Sequence, residues 1–252
     1  MPFITNLIST PSFREYPILA IDWGNTRIKI VVFDPLTREK LDFFEKKTLS
    51  VAFLDDLCIK FHIKTSILCS VTNHSPAIEG FLQKNTHFTL LSDEITLPII
   101  IKYKTPHTLG RDRIAAICGA WSMFPHQNSL VIDAGTCIKY DIVTAEGEYL
   151  GGSISPGIGM RLRAMHEFTA KLPVVTREKI TDFVGDTTET AIRTGGQLGA
   201  AMEAQGFVNL YKQKFGNDLN VIVTGGDGTY LVGHLENAIY QNDLVLKGLL
   251  SI

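Results

Sequence analysis

Two pairs of short apolar runs, one pair in each half of the chain, predict two β-hairpins. In the first half, the runs Ile18–Ile21 and Ile28–Phe33 flank a short polar turn. In the second half, one run begins at Leu130, another begins at Ile138, and a similar turn lies between them. Because short turns rich in glycine and asparagine join the strands of hairpins, we expect a strand, a tight turn and a strand in both places.

The other elements are predicted from the spacing of apolar residues and from proline. Between Asp112 and Phe124 the apolar residues recur at helical spacing, and Pro125 ends this helix. We also predict a buried strand over Ser66–Val71, strand-like pieces between Leu90 and Tyr103, a helix that runs up to Lys171, a long helical stretch over Thr188–Phe215 and a short buried strand over Val221–Val223.

The second half of the chain repeats the start of the first. The segments Leu19–Lys29 and Leu130–Lys139 follow the same order along the chain. Each has an apolar strand, an aspartate, one variable residue, a glycine, a turn with threonine, and a second strand with a lysine near its start. A chance match of this length is improbable, so the repeat predicts two related lobes. We place an N-terminal extension at residues 1–17, the first lobe at residues 18–124 and the second lobe at residues 125–252.

The chemistry of the two turns suits a bound polyphosphate. Glycine lets backbone amides approach an anion closely, and hydroxyl or amide side chains donate hydrogen bonds to phosphate oxygens. A lysine adds positive charge, and an aspartate can hold a cation beside the phosphates. An ordinary hairpin turn is the alternative, because the same residue types dominate turns, but the second copy weakens it. The candidates are Asp22, Gly24, Asn25, Thr26, Lys29, Asp133 and Thr136.

The segment Gly110–Arg113 precedes the predicted helix and offers a second kind of chemistry. A helix N-terminus stabilises an anion. Asp112 has the right chemistry for a general base toward a hydroxyl, and the planar guanidinium of Arg113 suits a carboxylate. Alternatively, Asp112 caps the helix and Arg113 is solvated, and spacing alone does not decide between the two.

Two further glycine-rich segments have structural explanations that we prefer. Thr224–Gly228 follows a buried strand, and its glycines would let a flat ligand such as adenine lie against the backbone, but a strand-to-helix turn explains them as well. The small residues of Gly195–Ala201 indicate close helix packing, for example at a dimer interface, in preference to a ligand site.

Composition excludes several classes of protein. The chain has 252 residues, of which 45 % are hydrophobic and 20 % charged, so it is globular and not disordered. A net charge of −2 gives no general attraction to nucleic acid or to anionic lipid. No apolar run approaches the roughly 20 residues that a membrane-spanning helix needs. Four cysteines without paired short spacing suit a reducing compartment, so we expect a cytoplasmic protein without a structural metal or a membrane span.

From Leu19 onward the chain resembles the type III pantothenate kinases, which belong to the superfamily of acetate kinase, sugar kinases, Hsp70 and actin. Several motifs carry the resemblance, and it is specific because they occur in the same order and at the same spacing as in that family. These motifs are Asp22–Lys29, Gly110–Arg113, Asp133–Thr136, Gly151–Gly152 with Pro156–Gly157, and Gly185–Thr188 followed by Ile192 and Gly195. The resemblance implies an α/β fold of two related lobes, each a mixed β-sheet with flanking helices (ribonuclease H-like), with the active cleft between them.

The activity implied by the resemblance is ATP-dependent phosphorylation of pantothenate to 4'-phosphopantothenate, the first step of coenzyme A synthesis. It implies ATP, magnesium and a monovalent cation (potassium or ammonium) as cofactors, and a homodimer as the assembly. It also implies these roles: ATP binding by Asp22, Gly24, Asn25, Thr26, Lys29 and Thr136; the monovalent cation at Asp133; proton acceptance by Asp112; and pantothenate binding by Tyr103, Gly110, Arg111, Asp112, Arg113 and Thr188.

Two other functions remain open at this point. The first is another kinase or a phosphatase of the same superfamily, acting on a sugar, on acetate or on polyphosphate. Tyr103 and the segment Gly110–Arg113 argue against it, because in the resemblance they belong to pantothenate recognition. The second is a non-catalytic regulator. The presence of Asp112 and of both turns argues against that function.

Overall fold

The computed structural model of the chain describes residues 15–252, and residues 1–14 of the predicted extension lie outside the described part. Within that part no helix has both the length and the apolar character needed to cross a membrane. The strands are β1 (Ile18–Trp23), β2 (Ile28–Phe33), β3 (Lys40–Lys46), β4 (Thr65–Ser70), β5 (His87–Leu90), β6 (Ile100–Ile101), β7 (Ser129–Ala134), β8 (Cys137–Val143), β9 (Glu148–Pro156), β10 (Asn220–Thr224) and β11 (Ala238–Tyr240). The α-helices are α1 (Val51–Phe61), α2 (Pro76–Asn85), α3 (Arg111–Met123), α4 (Ile158–Glu167), α5 (Thr188–Arg193), α6 (Gly199–Phe215), α7 (Gly228–Val232) and α8 (Leu244–Leu249).

The long helical stretch predicted after Thr187 is present, with one irregular turn inside it. Thr187 begins the stretch by a capping box, in which its side chain accepts a hydrogen bond from the backbone N–H of Thr190. A π-helical turn at Thr194–Leu198 joins α5 to α6. Gly216 ends α6 with a φ of +103°, a backbone conformation that glycine adopts at little cost.

The two sheets repeat one topology. The first has the order β3-β2-β1-β4-β5, and the second has the order β11-β10-β7-β8-β9-β6. In each sheet the strand that opens the hairpin (β1 or β7) pairs antiparallel with the next strand along the chain. On its other side it pairs parallel with β4 or with β10. Both predicted hairpins are therefore confirmed, and they occupy equivalent places in two sheets of the same construction.

The contacts divide the chain into two compact units. The first runs to Ile95 and includes Gly110–Asp112, and the second contains Thr96–Leu109 and Arg113–Ile252. The core of the first unit forms around β1, β2 and β4 under α1 and α2. In the second unit one core lies against α4 and α6, and another lies against α3 and α8.

The change of unit falls earlier in the chain than the predicted lobe boundary at residues 124 and 125. Strand β6 joins the second sheet by pairing in parallel with β9. Helix α3 contributes Ile114, Ile117 and Ala120 to a core of the second unit. The predicted lobes, 18–124 and 125–252, stay predictions about the two repeats, whereas the units describe packing.

Candidate active site

The first turn joins β1 to β2 in the first unit and presents polar residues to solvent. Asp22 lies directly opposite Lys29 in the antiparallel register. The backbone N–H of Gly24 donates to the carbonyl of Arg27 at 3.1 Å, which closes the turn. Asn25 and Thr26 are exposed. This arrangement places hydrogen-bond donors and a lysine at one end of the hairpin, where an anionic ligand can reach them.

The second turn joins β7 to β8 in the second unit and repeats this arrangement. Asp133 lies directly opposite Lys139 in the register. Here the two side chains form an ion pair, because Lys139 Nζ donates to Asp133 Oδ2 at 2.6 Å. Gly135 N–H donates to the carbonyl of Cys137 at 2.9 Å, and Thr136 is exposed. The second turn therefore has the same aspartate, glycine, threonine and lysine as the first.

Two distant glycines pack against the backbone of the second turn. Gly157 N–H donates to the carbonyl of Thr136 at 3.1 Å, and a Cβ at position 157 would lie 2.1 Å from the carbonyl oxygen of Gly135. Gly225 has a φ of +89°, and a Cβ there would lie 2.2 Å from the carbonyl oxygen of Ala134. The turn therefore depends on glycine in the segments before α4 and before α7. The segment Thr224–Gly228 is the predicted strand-to-helix turn.

Helix α3 begins at Arg111, and its first turn carries Asp112 and Arg113. Asp112 is half-buried there, in a position where the helix dipole stabilises a negative charge. Arg111, in the first unit with Gly110, forms an ion pair with Asp93 at 2.8 Å. The structure thus places Gly110, Arg111 and Asp112 together at the start of this helix, as the sequence predicts.

The side chain of Arg113 is buried, so the alternative of a solvated Arg113 is wrong. Its exposed fraction is 6 %, and that of its partner Asp141 is 3 %. Arg113 Nε donates to Asp141 Oδ2 at 3.0 Å, and Nη2 donates to Oδ1 at 2.5 Å. Burial alone would lower the pKa of the guanidinium, but the hydrogen bonds and charge of Asp141 outweigh burial and raise it. Its proposed contact with a substrate carboxylate stays a prediction.

Tyr103 packs against the same buried pair. Its ring stacks on Tyr149 with 6.2 Å between centroids, and the Arg113 guanidinium lies 5.6 Å from its centre. Tyr149 donates its hydroxyl hydrogen to Asp141 Oδ1 at 2.7 Å. Burial and then the Asp141 carboxylate raise the pKa of Tyr149, so its hydroxyl keeps its proton. A Cβ at Gly151 would come within 2.8 Å of the Tyr103 ring, which explains one glycine of the Gly151–Gly152 motif.

Thr188, the remaining predicted pantothenate ligand, is the first residue of α5 and is exposed. The glycine that precedes it by three positions has a packing role. A Cβ at Gly185 would lie 2.4 Å from the backbone nitrogen of Ala191, so the loop lies directly on α5. The structure thus gives Thr188 a defined place at the start of a capped helix in the second unit.

Comparison with known proteins decides the family. A family model described as type III pantothenate kinase matches residues 18–210. The chain is 44 % identical over 233 residues to the type III pantothenate kinase of Christiangramia forsetii, covering 92 % of this chain and 95 % of that protein. With that of Bacteroides fragilis it shares 40 % identity over 233 residues, with the same two coverages. The chain belongs to the type III pantothenate kinase family.

Solved structures confirm the fold predicted for this type III pantothenate kinase family member. A Campylobacter jejuni protein named for the Baf family of transcriptional activators superposes with a TM-score of 0.55 at 21 % identity, over 91 % of this chain and 94 % of that one. A Listeria monocytogenes protein named as an N-acetylmannosamine kinase superposes with a TM-score of 0.50 at 15 % identity, over 93 % and 97 %. At these identities the likeness shows the fold alone, which is the predicted α/β fold with two mixed sheets.

In this family member, three contributions to the candidate site were missed by sequence reasoning. Asp141 accepts hydrogen bonds from Arg113, Tyr149 donates to Asp141, and Lys139 donates to Asp133. A signal for Asp141 was present, since it is a charged residue inside the apolar run of β8. The repeat gave a signal for Lys139, which takes the position of Lys29.

The surroundings of Asp133 do not fit a further monovalent cation. Asp133 Oδ2 accepts the hydrogen bond from Lys139. Gly225 is near the other oxygen, because a Cβ there would lie 2.7 Å from Asp133 Oδ1. Both oxygens therefore already have close neighbours, and one neighbour is a cation. The expectation of potassium or ammonium at Asp133 stays an untested prediction.

Proposed function

We propose that this kinase transfers the γ-phosphoryl group of ATP to the primary hydroxyl of pantothenate, giving ADP and 4'-phosphopantothenate. The observation that carries the proposal is the match to named type III pantothenate kinases over 92 % of the chain. It is supported by the two hairpin turns, each with an aspartate opposite a lysine, and by Asp112 in the first turn of α3. The product would be the first intermediate of coenzyme A synthesis.

We assign ATP binding to the two turns. Backbone amides of the first turn, with Asn25, Thr26 and Lys29, donate hydrogen bonds and positive charge to phosphate oxygens. Thr136 of the second turn does the same from the second sheet. Magnesium, when bound with ATP, neutralises phosphate charge, and the carboxylate of Asp22 at the end of β1 has the oxygen ligands that this ion prefers.

We assign the chemical step to Asp112. Phosphoryl transfer needs an oriented acceptor and neutralised charge, with little covalent help from the protein. The pantothenate hydroxyl oxygen forms the new bond to the γ-phosphorus while the bond from that phosphorus to the ADP oxygen breaks. Asp112 accepts the hydroxyl proton as this exchange proceeds. No residue has to change its redox state or form a bond to substrate.

We assign acceptor binding to Tyr103, Thr188 and the start of α3. Tyr103 offers a ring fixed by two neighbours, and Thr188 offers an exposed hydroxyl. Arg111 and Arg113 bring positive charge to the helix start, although each has an acidic partner, Asp93 or Asp141. We therefore assign recognition of the pantothenate carboxylate to the combined charge of both arginines.

A homodimer is the proposed assembly, and exposed apolar side chains of the second unit support it. Phe168 and Phe183 are 85 % and 75 % exposed, and Val174 and Met202 are more than half exposed. Burial of such side chains against a second copy would remove apolar surface from water and so favour association. Sedimentation velocity should give twice the chain mass, and a monomer at every concentration would refute the assembly.

We place the enzyme in the cytoplasm, in line with its four free cysteines.

A coupled assay of ADP release tests the function. Purified protein is given ATP and magnesium with pantothenate, acetate or simple sugars in turn, and the products are identified by mass spectrometry. Among these acceptors, we expect only pantothenate to cause ADP release, and we expect its product to carry one added phosphoryl group. Release with acetate or a sugar instead would indicate another kinase of the superfamily. No release with any acceptor would indicate a non-catalytic protein.

A further inference from the structure

The lysine of the second turn has a place in the proposed reaction that the sequence did not assign. Asp133 and Lys139 are opposite residues of an antiparallel pair, so their side chains project from the same face of the sheet. Lys139 Nζ lies 2.6 Å from Asp133 Oδ2. The exposed fractions of the two side chains are only 17 % and 18 %, so water screens this pair weakly.

A monovalent cation at Asp133 would have to compete with this lysine. The ammonium group of lysine carries the same single positive charge as potassium or an ammonium ion, and it donates hydrogen bonds to a carboxylate as an ammonium ion does. A second cation at the same carboxylate would be repelled by the first. Gly225 lies close to the other oxygen of Asp133, since a Cβ there would come within 2.7 Å of Oδ1.

We propose that the Lys139 ammonium group is the built-in positive charge of the second turn, and that it takes the place of a dissociable monovalent cation at Asp133. The inference rests on the proposed kinase function. A tethered charge needs no binding from solution, so it is present at every potassium concentration. Lys139 belongs to the same hairpin as Thr136, to which we assign a contact with ATP, so it adds positive charge to the proposed phosphate site.

The parent protein and the variant Lys139→Ala are compared in buffers of equal ionic strength that contain sodium, potassium or ammonium as the monovalent cation. We expect the parent to phosphorylate pantothenate equally well in all three. In sodium, Lys139→Ala should lose kcat/KM for ATP by roughly ten- to a hundredfold, because a charge-assisted contact is lost. Potassium or ammonium should restore most of that loss, since these ions are close in size to the lost ammonium group and are less strongly hydrated than sodium, so they can occupy the vacated position.

Thermal melting gives a second readout that does not need activity. The melting temperature of Lys139→Ala should rise by about 2–4 °C when potassium replaces sodium, and the parent should show no such difference. Lys60→Ala is the matched control, because Lys60 pairs with Asp42 at 3.2 Å on an exposed surface of the first unit. We expect it to melt at the same temperature in all three salts. If Lys139→Ala does not fold, Lys139→Gln keeps the length of the side chain and removes its charge.

Two results would overturn the inference. The first is a parent protein that needs potassium or ammonium for turnover. The second is a folded Lys139→Ala or Lys139→Gln whose activity and melting temperature are the same in all three salts. A parent that phosphorylates no pantothenate in any salt would refute the proposed function, while the melting comparison would still decide whether Lys139 takes the place of a cation.

Discussion

The two hairpin turns share one backbone plan and differ in what surrounds them. In both, an aspartate lies opposite a lysine, and the register of the following strand pair shifts three residues after that lysine, at Val32/Phe33 and at Ile142/Val143. Both turns have exposed residues at the tip, and the second turn is also packed against Gly157 and Gly225. Duplication thus preserved the hairpin, and packing specialised the second copy.

The same sequence motif can therefore serve ligand contact in one unit and rigid placement of hydrogen-bond donors in the other. The first turn has free access to solvent at Asn25 and Thr26, so its residues are suited to ligand contact. In the second turn the backbone carbonyls accept hydrogen bonds from Gly157 and Asp227. The second turn is therefore held rigidly by its own unit, and rigid placement of donors favours electrostatic stabilisation of a charged reaction centre.

The largest expected effect comes from a residue that belongs to neither turn. If the turns only hold phosphates, Asp112→Asn should keep ATP binding and lower kcat by roughly two to four orders of magnitude, because only the proton acceptor is lost. Steady-state kinetics and calorimetric titration of an ATP analogue measure the two quantities. Asp56→Asn, an exposed aspartate of α1, is the control. A normal kcat in Asp112→Asn would show that the base is another group.

The next effect tests the packing of the second turn. Gly225→Val should lower the free energy of unfolding by roughly 2–5 kcal/mol, since its side chain would overlap the carbonyl of Ala134 and its φ of +89° disfavours a β-branched residue. Gly135→Ala should cost less than about 0.5 kcal/mol, because a Cβ there meets nothing within 4 Å. Urea denaturation measures both. An equal loss of unfolding free energy in the two variants would contradict the stabilising role of the packing between Gly225 and the second turn.

The last comparison sets one arginine–carboxylate pair of the first unit against one of the second. Asp141→Asn should destabilise the protein by roughly 3–5 kcal/mol, because it leaves the buried Arg113 without its counter-charge. Glu45→Gln should cost at most about 1 kcal/mol, because its partner Arg27 is 55 % exposed. Chemical denaturation of both variants gives the two values, and a similar cost for each would mean that burial of the Arg113 pair does not matter.

Local pattern was enough to predict much of the fold. Both hairpins, the strand at Thr65–Ser70, helix α3 and the helical stretch after Thr187 depend on neighbouring residues, and the sequence predicted all of them. The place of β6 could not be predicted, because a strand of two residues joins its sheet only through the distant β9.

The candidate site was predictable in its residue types and less so in its supporting contacts. Arg113 follows a helix start, where most arginines are solvated, so its burial depends on Asp141, 28 positions away. Gly225 was noted in a strand-to-helix turn, but its reason is the carbonyl of Ala134, far away in the sequence. Contacts of this kind need the sheet order, which the sequence pattern alone did not provide.

Hydrogen exchange of the backbone amides, measured with and without a non-hydrolysable ATP analogue and magnesium, tests whether the two turns bind nucleotide. The proposal under test is that each turn contributes hydrogen-bond donors to the binding of ATP phosphates. We expect nucleotide to slow the exchange of the amides of residues 23–27 and of residues 134–137. Exchange at the exposed start of α1, residues 51–52, should not change. Protection of one turn alone, or of neither, would contradict the account.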